Sequence, residues 1–346
     1  MKLEQVTPSG LNRWQAFVDA TPEGSGPYHH AGWYTVFSES SAVKPYYLQS
    51  VDRDGGIVGV LPMYLSTSIF TGRHLATVEG GALASCRKVA ATLYEEALKI
   101  RKREKAKFLM VREDPRIEIV PNQRVQTVRT VVKLDRPLDA YWASLNKYTR
   151  RKVRKAKKNG FTVVTSTTLE ALRQFFAVYA RRMREHGTPV MGWRMMRSIF
   201  ENLGEQTRLY LVLHQEQIVG GVLLINNTTR WNPIYLAINR ELQPLYPTYL
   251  LYQAIFEDAY AQGNVSVIDL GRSIPNSGNH QFKQLWRGED IHLHNDYYLA
   301  AHAKPGLFVE KLRSGKQTIY QRLWKRLPLA LTNRLGPLLI RQLPLG

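Results

Sequence analysis

The sequence predicts an α/β protein with mixed (α+β) sheets, built as two similar units in tandem. Three observations predict this. At 346 residues the chain is too long for one ordinary domain and comfortable for two. Helix-period and strand-period segments alternate along it. The order of the first half (helices, antiparallel meander, helix, strand) is replayed in the second. The expected boundaries are a first unit at residues 1–140, a basic linker helix at 141–160, a second unit at 161–300 and a basic amphipathic tail at 301–346.

The elements follow in order. Leu11, Trp14 and Val18 recur at helical spacing near the start, before the Pro/Gly-rich TPEGSGPYHHAGW. PYYLQSVDRDGGIVGVLPMYLSTS reads as strands around a hairpin turn at Asp54-Gly55-Gly56. RKVAATLYEEALKIRKREKAK reads as a helix and KFLMVRE as the strand after it. In the second half LEALRQFFAVYARRMREHG is a helix with Leu172, Phe176, Tyr179 and Met183 on one side and Gly187 as its stop. RMMRSIFENLG is a second helix. TRLYLVLHQEQIVGGVLLINNTTRWNPIYLAI is a meander of about three strands, PTYLLYQAIFEDAYAQG a helix closed by Gly263, and VSVIDLGRS a strand running into a loop.

Composition narrows the function classes. The apolar fraction of 44% supports real cores, and the formal charge of +20 attracts polyanions: nucleic acid, anionic lipid or phosphorylated ligands. Cys86 is the only cysteine, which excludes a disulfide framework and a thiolate metal cluster. The opening MKLEQVTPSGLNRWQAF lacks the apolar core of a signal peptide, and no run approaches the ~18–20 apolar residues of a spanning helix. A cytoplasmic location is expected. His29, His30 and Trp33 lack a third ligand at metal-motif spacing, so no metal is expected. A G-x-S-x-G elbow, a Walker A loop and a Rossmann glycine pattern are also missing, and a lone thiol gives nucleophilic catalysis little support.

Four segments carry a family likeness: VGVLPMYLSTSIFTGRHLATVEGGALAS, RRKVRKAKKNG, YARRMREHGTPV and DLGRSIPNSGNHQFKQLW. In that order, over roughly residues 28–300, they resemble the FemAB-like transferases, which pair two GNAT (acyl-CoA N-acyltransferase) domains. They are most similar to FemAB-related proteins of exopolysaccharide and PEP-CTERM systems. The resemblance implies tandem GNAT-like domains. It implies an acyl- or aminoacyltransferase acting on an amine of a cell-envelope polysaccharide or lipid-linked precursor, with acyl-CoA or another activated acyl donor. Two alternatives stand beside it: an aminoacyl-tRNA-dependent peptidoglycan transferase, and a non-catalytic membrane-surface binding protein with a degenerate GNAT body. Two departures matter. The Arg/Gln-x-x-Gly-x-Gly/Ala pyrophosphate loop of GNAT enzymes is replaced by NRELQPLYPTYLL (Asn239 to Leu251), which has no glycine for backbone N–H groups to wrap a pyrophosphate. The family's Trp-Gly is here Trp286-Arg287-Gly288.

The basic helix holds eight cations in the twelve positions from Lys147 to Lys158 and no acid. Lys147, Arg150, Arg151, Arg154, Lys155 and Lys158 fall on one stripe, where like charges repel by a few tenths of a kcal/mol per pair unless an anion neutralises them. It reads either as an anion-binding face (for tRNA, a diphosphate-linked lipid carrier or a membrane surface) or as a solvated linker. Double-stranded DNA is not expected, because no DNA-binding signature accompanies the charge. In the tail, from Ala300 onward, nine Lys/Arg face one acid, Glu310, and interleave with Leu, Ile and Trp. That pattern suits peripheral association with an anionic membrane, or leucines packed on the body.

The candidate site is the Gly/Ser/Asn-rich loop that leaves a strand at IDLGRSIPNSG. Asp269 is the first candidate base, ahead of Tyr179 and His186. Lys283 and Arg272 are candidates to hold an anion or the tetrahedral oxyanion, with Ser273, Ser277 and the Gly278 backbone as hydrogen-bond donors. Tyr179 and Arg182, three apart, share a face that the resemblance places beside the acceptor groove. Structural alternatives remain: an Asp269–Arg272 ion pair, an exposed Lys283, a packed Tyr179 and a C-capping His186.

Overall fold

The computed structural model describes residues 1–21, 25–40, 43–68, 72–114, 117, 119–301 and 316–340. Two compact units emerge. The first comprises residues 1–126, 189–203 and 293–346; the second comprises 127–188 and 204–292. These differ from the expected cuts at 140, 160 and 300. The basic helix lies inside the second unit, the tail belongs to the first, and residues 189–203 are lent by the second half to the first unit. The ends of the tail, 302–315 and 341–346, lie outside the described residues.

In the first unit, β1 (Lys2–Gln5), β2 (Val43–Val51), β3 (Ile57–Ser68) and β4 (Gly72–Glu79) form an antiparallel run. The short β5 (Leu83–Ala84) also pairs with β3. β6 (Phe108–Arg112) joins β4 in parallel, and Asn295–Leu299 at the end of β13 (Glu289–Leu299) pairs antiparallel with β6. The expected hairpin forms at Asp52, whose Oδ1 accepts N–H bonds from Asp54 and Gly56. Adjacent tyrosines on β2 show why the sheet is buried on both faces. Tyr46 packs with Leu93 and Ala97 of α3 (Arg87–Arg103) in one core. Tyr47 meets Trp14 of α1 (Leu11–Asp19) and Tyr34 of α2 (Gly32–Glu39). The lent helix α7 (Trp193–Leu203) packs on α2, where Ser198 donates to Glu39 at 2.6 Å and a Cβ on Gly32 would strike the Asn202 carbonyl.

The second unit orders its sheet as β7 (Gln123–Lys133), β12 (Val267–Ser273), β11 (Arg230–Ile238), β10 (Gln217–Asn226), β9 (Thr207–His214) and β8 (Phe161–Ser166). β8 to β11 are the predicted meander with one more strand, and β12 joins β11 in parallel. Gly220 and Gly221 of β10 let the strands close: added Cβ atoms would lie 2.4 Å from the Ala237 oxygen and 2.2 Å from the Tyr210 oxygen. α4 (Leu138–Ser144), α5 (Lys147–Lys158) and α8 (Pro247–Gln262) cover one face, burying Tyr141, Val153, Ala156, Leu251, Ile255 and Phe256 with Trp231 and Ile268. α6 (Leu169–His186) packs against β10 and β11 and ends at Gly187 in the left-handed conformation.

Candidate functional site

Parallel pairing of β11 with β12 lasts only two residues, Arg230 with Val267 and Trp231 with Ile268. Beyond that point β12 carries Asp269-Leu270-Gly271-Arg272-Ser273, and its ladder to β7 is interrupted between Asp269 and Arg272. Gly271 sits there at φ +76°, a conformation that L side chains rarely adopt. The bulge turns two carbonyls toward Lys283 on the short helix α9 (Gly278–Gln284). Its Nζ donates to Gly271 O at 2.8 Å and Arg272 O at 2.9 Å. Lys283 is only 3% exposed, so it is not a surface helix charge. Burial lowers its pKa to about 8; Asp269 pulls the other way and Arg129 reinforces the fall.

Asp269 is fully buried. Its Oδ1 accepts from the Gly271 N–H at 2.8 Å, and its Oδ2 accepts from Arg129 at 2.5 Å, with Arg230 at 3.5 Å. Both oxygens are therefore committed, which suits a counter-ion and not the expected base. An ion pair does hold this loop, but with Arg129 on β7 in place of Arg272. The Tyr179 phenol corrects the other base assignment. It packs edge-on to Tyr235, and burial raises its pKa far above the range of a useful base. Arg182 on the same helix is buried, pairing with Glu185 and contacting His186 Nε2, so its guanidinium is already occupied.

The loop between β12 and α9 is held at both ends. Ser277 caps α9, its Oγ accepting the His280 N–H, and Gly278 opens that helix. His280 Nδ1 accepts from the Asn276 N–H while Nε2 faces Asp290 at 2.7 Å. Trp286 anchors the far end inside a ring of Phe256, Tyr252, Tyr249 and Phe282, and its carbonyl accepts from the Tyr141 hydroxyl. Ser273 Oγ is buried with no hydrogen-bond partner among the described residues. An orphan hydroxyl beside the Arg272 backbone suits a ligand that brings its own polar group.

Asn146 caps α5, and Thr149, Val153 and Ala156 turn inward. On a helical projection the six-cation stripe lies opposite that buried face. None of Lys147, Arg150, Arg151, Arg154, Lys155 and Lys158 has an acidic partner among the described residues. Lys152, just off the stripe, sits over the rings of Tyr148, Tyr246 and Tyr249 at 3.9, 4.5 and 4.9 Å from their centroids. Lys155 reaches the Tyr246 ring at 5.3 Å. The basic helix thus meets the N-terminus of α8, where a GNAT pyrophosphate loop would sit. In that loop the N–H groups of Leu242, Tyr246 and Tyr249 are bonded to Asn239, Gln243 and Tyr246 carbonyls, and Pro244 and Pro247 have none to offer. This loop therefore offers a diphosphate fewer backbone N–H groups than a glycine-rich loop would.

Arg129, His280, Asp290 and Lys152 escaped the sequence reading. Arg129 and Asp269 are 140 positions apart and no local pattern links them.

Comparisons with known proteins fit this geometry. Residues 143–284 match the family described as acetyltransferase (GNAT) domain. No curated protein matches the sequence. Among solved structures, FemX superposes with TM-score 0.66 at 15% identity, over 94% of this chain and all of the other. The C-terminal domain of a putative lysylphosphatidylglycerol synthetase from Agrobacterium fabrum gives 0.60 at 9% identity, over 85% of this chain and 93% of the other. A tandem GNAT protein from the clavulanic acid biosynthesis pathway gives 0.53 at 14%, over 88% of this chain and all of the other. With a parallel strand pair that parts after two residues and a helix crossing from the one strand to the other, residues 143–284 carry the match to a GNAT acetyltransferase domain, and the chain has a tandem GNAT fold like that of FemX.

Proposed function

We propose that the chain transfers an acyl or aminoacyl group from a donor carrying several phosphates to an amine of a cell-envelope polysaccharide or lipid-linked precursor. The observation that carries this reading is the unpaired cation stripe of α5 beside a loop that lacks glycine and has three of its N–H groups bonded within itself. The stripe runs about 16 Å from Lys147 to Lys158 at ~1.5 Å per residue, longer than one diphosphate requires. Phosphates would be held by side chains, which favours a charged tRNA over CoA as the donor. The acceptor class rests on the exopolysaccharide-type resemblance, and a lipid-linked acceptor is supported by the neighbour named for lysylphosphatidylglycerol.

In the reaction the acceptor nitrogen attacks the donor's acyl carbon. A C–N bond forms, negative charge moves to the carbonyl oxygen, and the bond to the donor's leaving atom breaks as that charge returns, the proton shed by the nitrogen passing, directly or through water, to the leaving atom. Lys283 has three N–H groups when charged and commits two to Gly271 and Arg272. The third donates to the developing oxyanion. Arg272 and Ser273 line the same strand end and orient the donor. Asp269 keeps Arg129 and the bulge in place and takes no proton.

The stripe is tested by equilibrium binding of charged tRNA and of a CoA thioester across ionic strength. Wild type should bind the tRNA, with log K falling steeply against log salt. Changing Arg150, Arg151, Arg154 and Lys155 to Gln should flatten that slope by about 3 and weaken binding on the order of 10²-fold. An unchanged slope, or a CoA thioester bound more tightly than the tRNA by both proteins, returns α5 to a solvated helix.

A further inference from the structure

Two helices close the described chain, α10 (Lys316–Arg326) and α11 (Leu329–Ile340). Their inner sides are docked within the first unit. Trp324 and Thr332 are buried, and a Cβ on Gly336 would lie 2.8 Å from the Val190 oxygen, so α11 rests against the segment at 190–192. Their outer sides are unusual. Leu323, Leu331 and Leu338 are 59%, 40% and 51% exposed, and Tyr320, 39% exposed, stacks on the buried Trp324 at the edge of the docked side. These four are more than a third of the eleven large exposed hydrophobics among the described residues, gathered into 19 positions. On α11, Leu331, Arg334 and Leu338 follow helical spacing on the side away from Thr332 and Gly336. Arg334 lies between those leucines, and on α10 the exposed Arg322, Lys325 and Arg326 occupy the side away from Trp324; none of the four has an acidic partner among the described residues.

We infer that this outer face is a docking surface for an anionic lipid bilayer, on which α10 and α11 lie in the headgroup plane. Each half of the pattern needs the other. Leucines alone would suit any apolar cover, and arginines alone any anion. Interleaved, they match a layer that is apolar just below its negative charge, where long basic side chains reach outward while their stems stay in the apolar zone. A second copy of the chain is a poorer occupant, because a two-fold pairing would set these four cations against themselves. No helix among the described residues is long and apolar enough to cross a membrane, so the helices lie on the surface and do not span it. This contact is independent of the donor stripe on α5.

The test is sedimentation of the full chain with phosphatidylcholine vesicles, with and without phosphatidylglycerol. Wild type should sediment with the mixed vesicles and remain in solution with pure phosphatidylcholine. Leu331→Glu with Leu338→Glu should lower partitioning at least about tenfold. Each of Arg322→Gln, Lys325→Gln and Arg326→Gln should cost about fivefold against the anionic vesicles. The α5 Gln variant should sediment as wild type does, and melting curves should show all variants folded. The inference is overturned if wild type ignores mixed vesicles or binds both kinds equally. It is equally overturned if the leucine variant keeps wild-type binding, or if the α5 variant alone abolishes it. Light scattering that shows a wild-type dimer made monomeric by the leucine changes, with no vesicle binding, assigns the face to a second copy.

Discussion

Lys283→Met should lower kcat/KM by roughly 10²–10³, the loss seen when one oxyanion donor is removed from a preorganised site, with KM for the donor nearly unchanged. The pH profile separates the two things this amine can do. With two N–H groups held by Gly271 O and Arg272 O, the remaining position carries a proton when Lys283 is charged and a lone pair when it is neutral. Burial has brought the switch between them down to about pH 8. If the charged form serves the oxyanion, kcat/KM falls as pH rises through about 8, and Lys283→Arg removes that falling limb because a guanidinium stays charged. A profile that rises through about 8 would instead make Lys283 the base and sink the oxyanion role.

The same shift has a stability signature whose sign is fixed. The native amine loses its proton near pH 8, whereas in the unfolded chain it holds it to about 10.4. Between those values the unfolded state binds more protons, so stability gains from rising pH. The penalty for burying the ammonium is complete below pH 8 and fades toward 10.4. The stability difference between wild type and Lys283→Met should therefore move in favour of wild type across that window, as measured by denaturant melts.

Most of the fold was legible because it rests on local signals. Trp14 and Val18 announced α1, Asp54-Gly55-Gly56 the first hairpin, Gly187 and Gly263 the helix stops. The site was legible in outline: the GRS…FK…W segment does place Lys283 and Arg272 at an opened strand end. What stayed hidden depends on contacts across long separations. α7 looks in sequence like any helix of the second half, and only the close approach at Gly32 explains why it packs with α2. Similarly, an aspartate ending a strand looks like a base until an arginine from β7 is found on it. The exposure of Lys283 was equally unreadable, since burial of a lysine is decided by carbonyls that a backbone bulge turns toward it.

Asp269→Ala should destabilise the protein by about 3–5 kcal/mol, because it strands the buried Arg129 guanidinium. The expectation follows from the geometry: the two side chains are 6% and 1% exposed, and no water can replace the lost partner cheaply. A base would behave differently, losing turnover with an unchanged melt. The isosteric Asp269→Asn keeps an acceptor for the Gly271 N–H but gives up the charge, so it should fall between wild type and Asp269→Ala. Replacing both partners with apolar residues, Arg129→Met with Asp269→Leu, should recover much of the loss, since the pair returns little beyond its own desolvation cost. Activity should not return with stability, because the Gly271 N–H then has no carboxylate to fix the bulge that aims Lys283. Denaturant melts and turnover on the same four proteins decide it. Full stability with no turnover in Asp269→Ala would restore the aspartate as a base, and a double variant that is both stable and active would show that the ion pair plays no part in positioning the lysine.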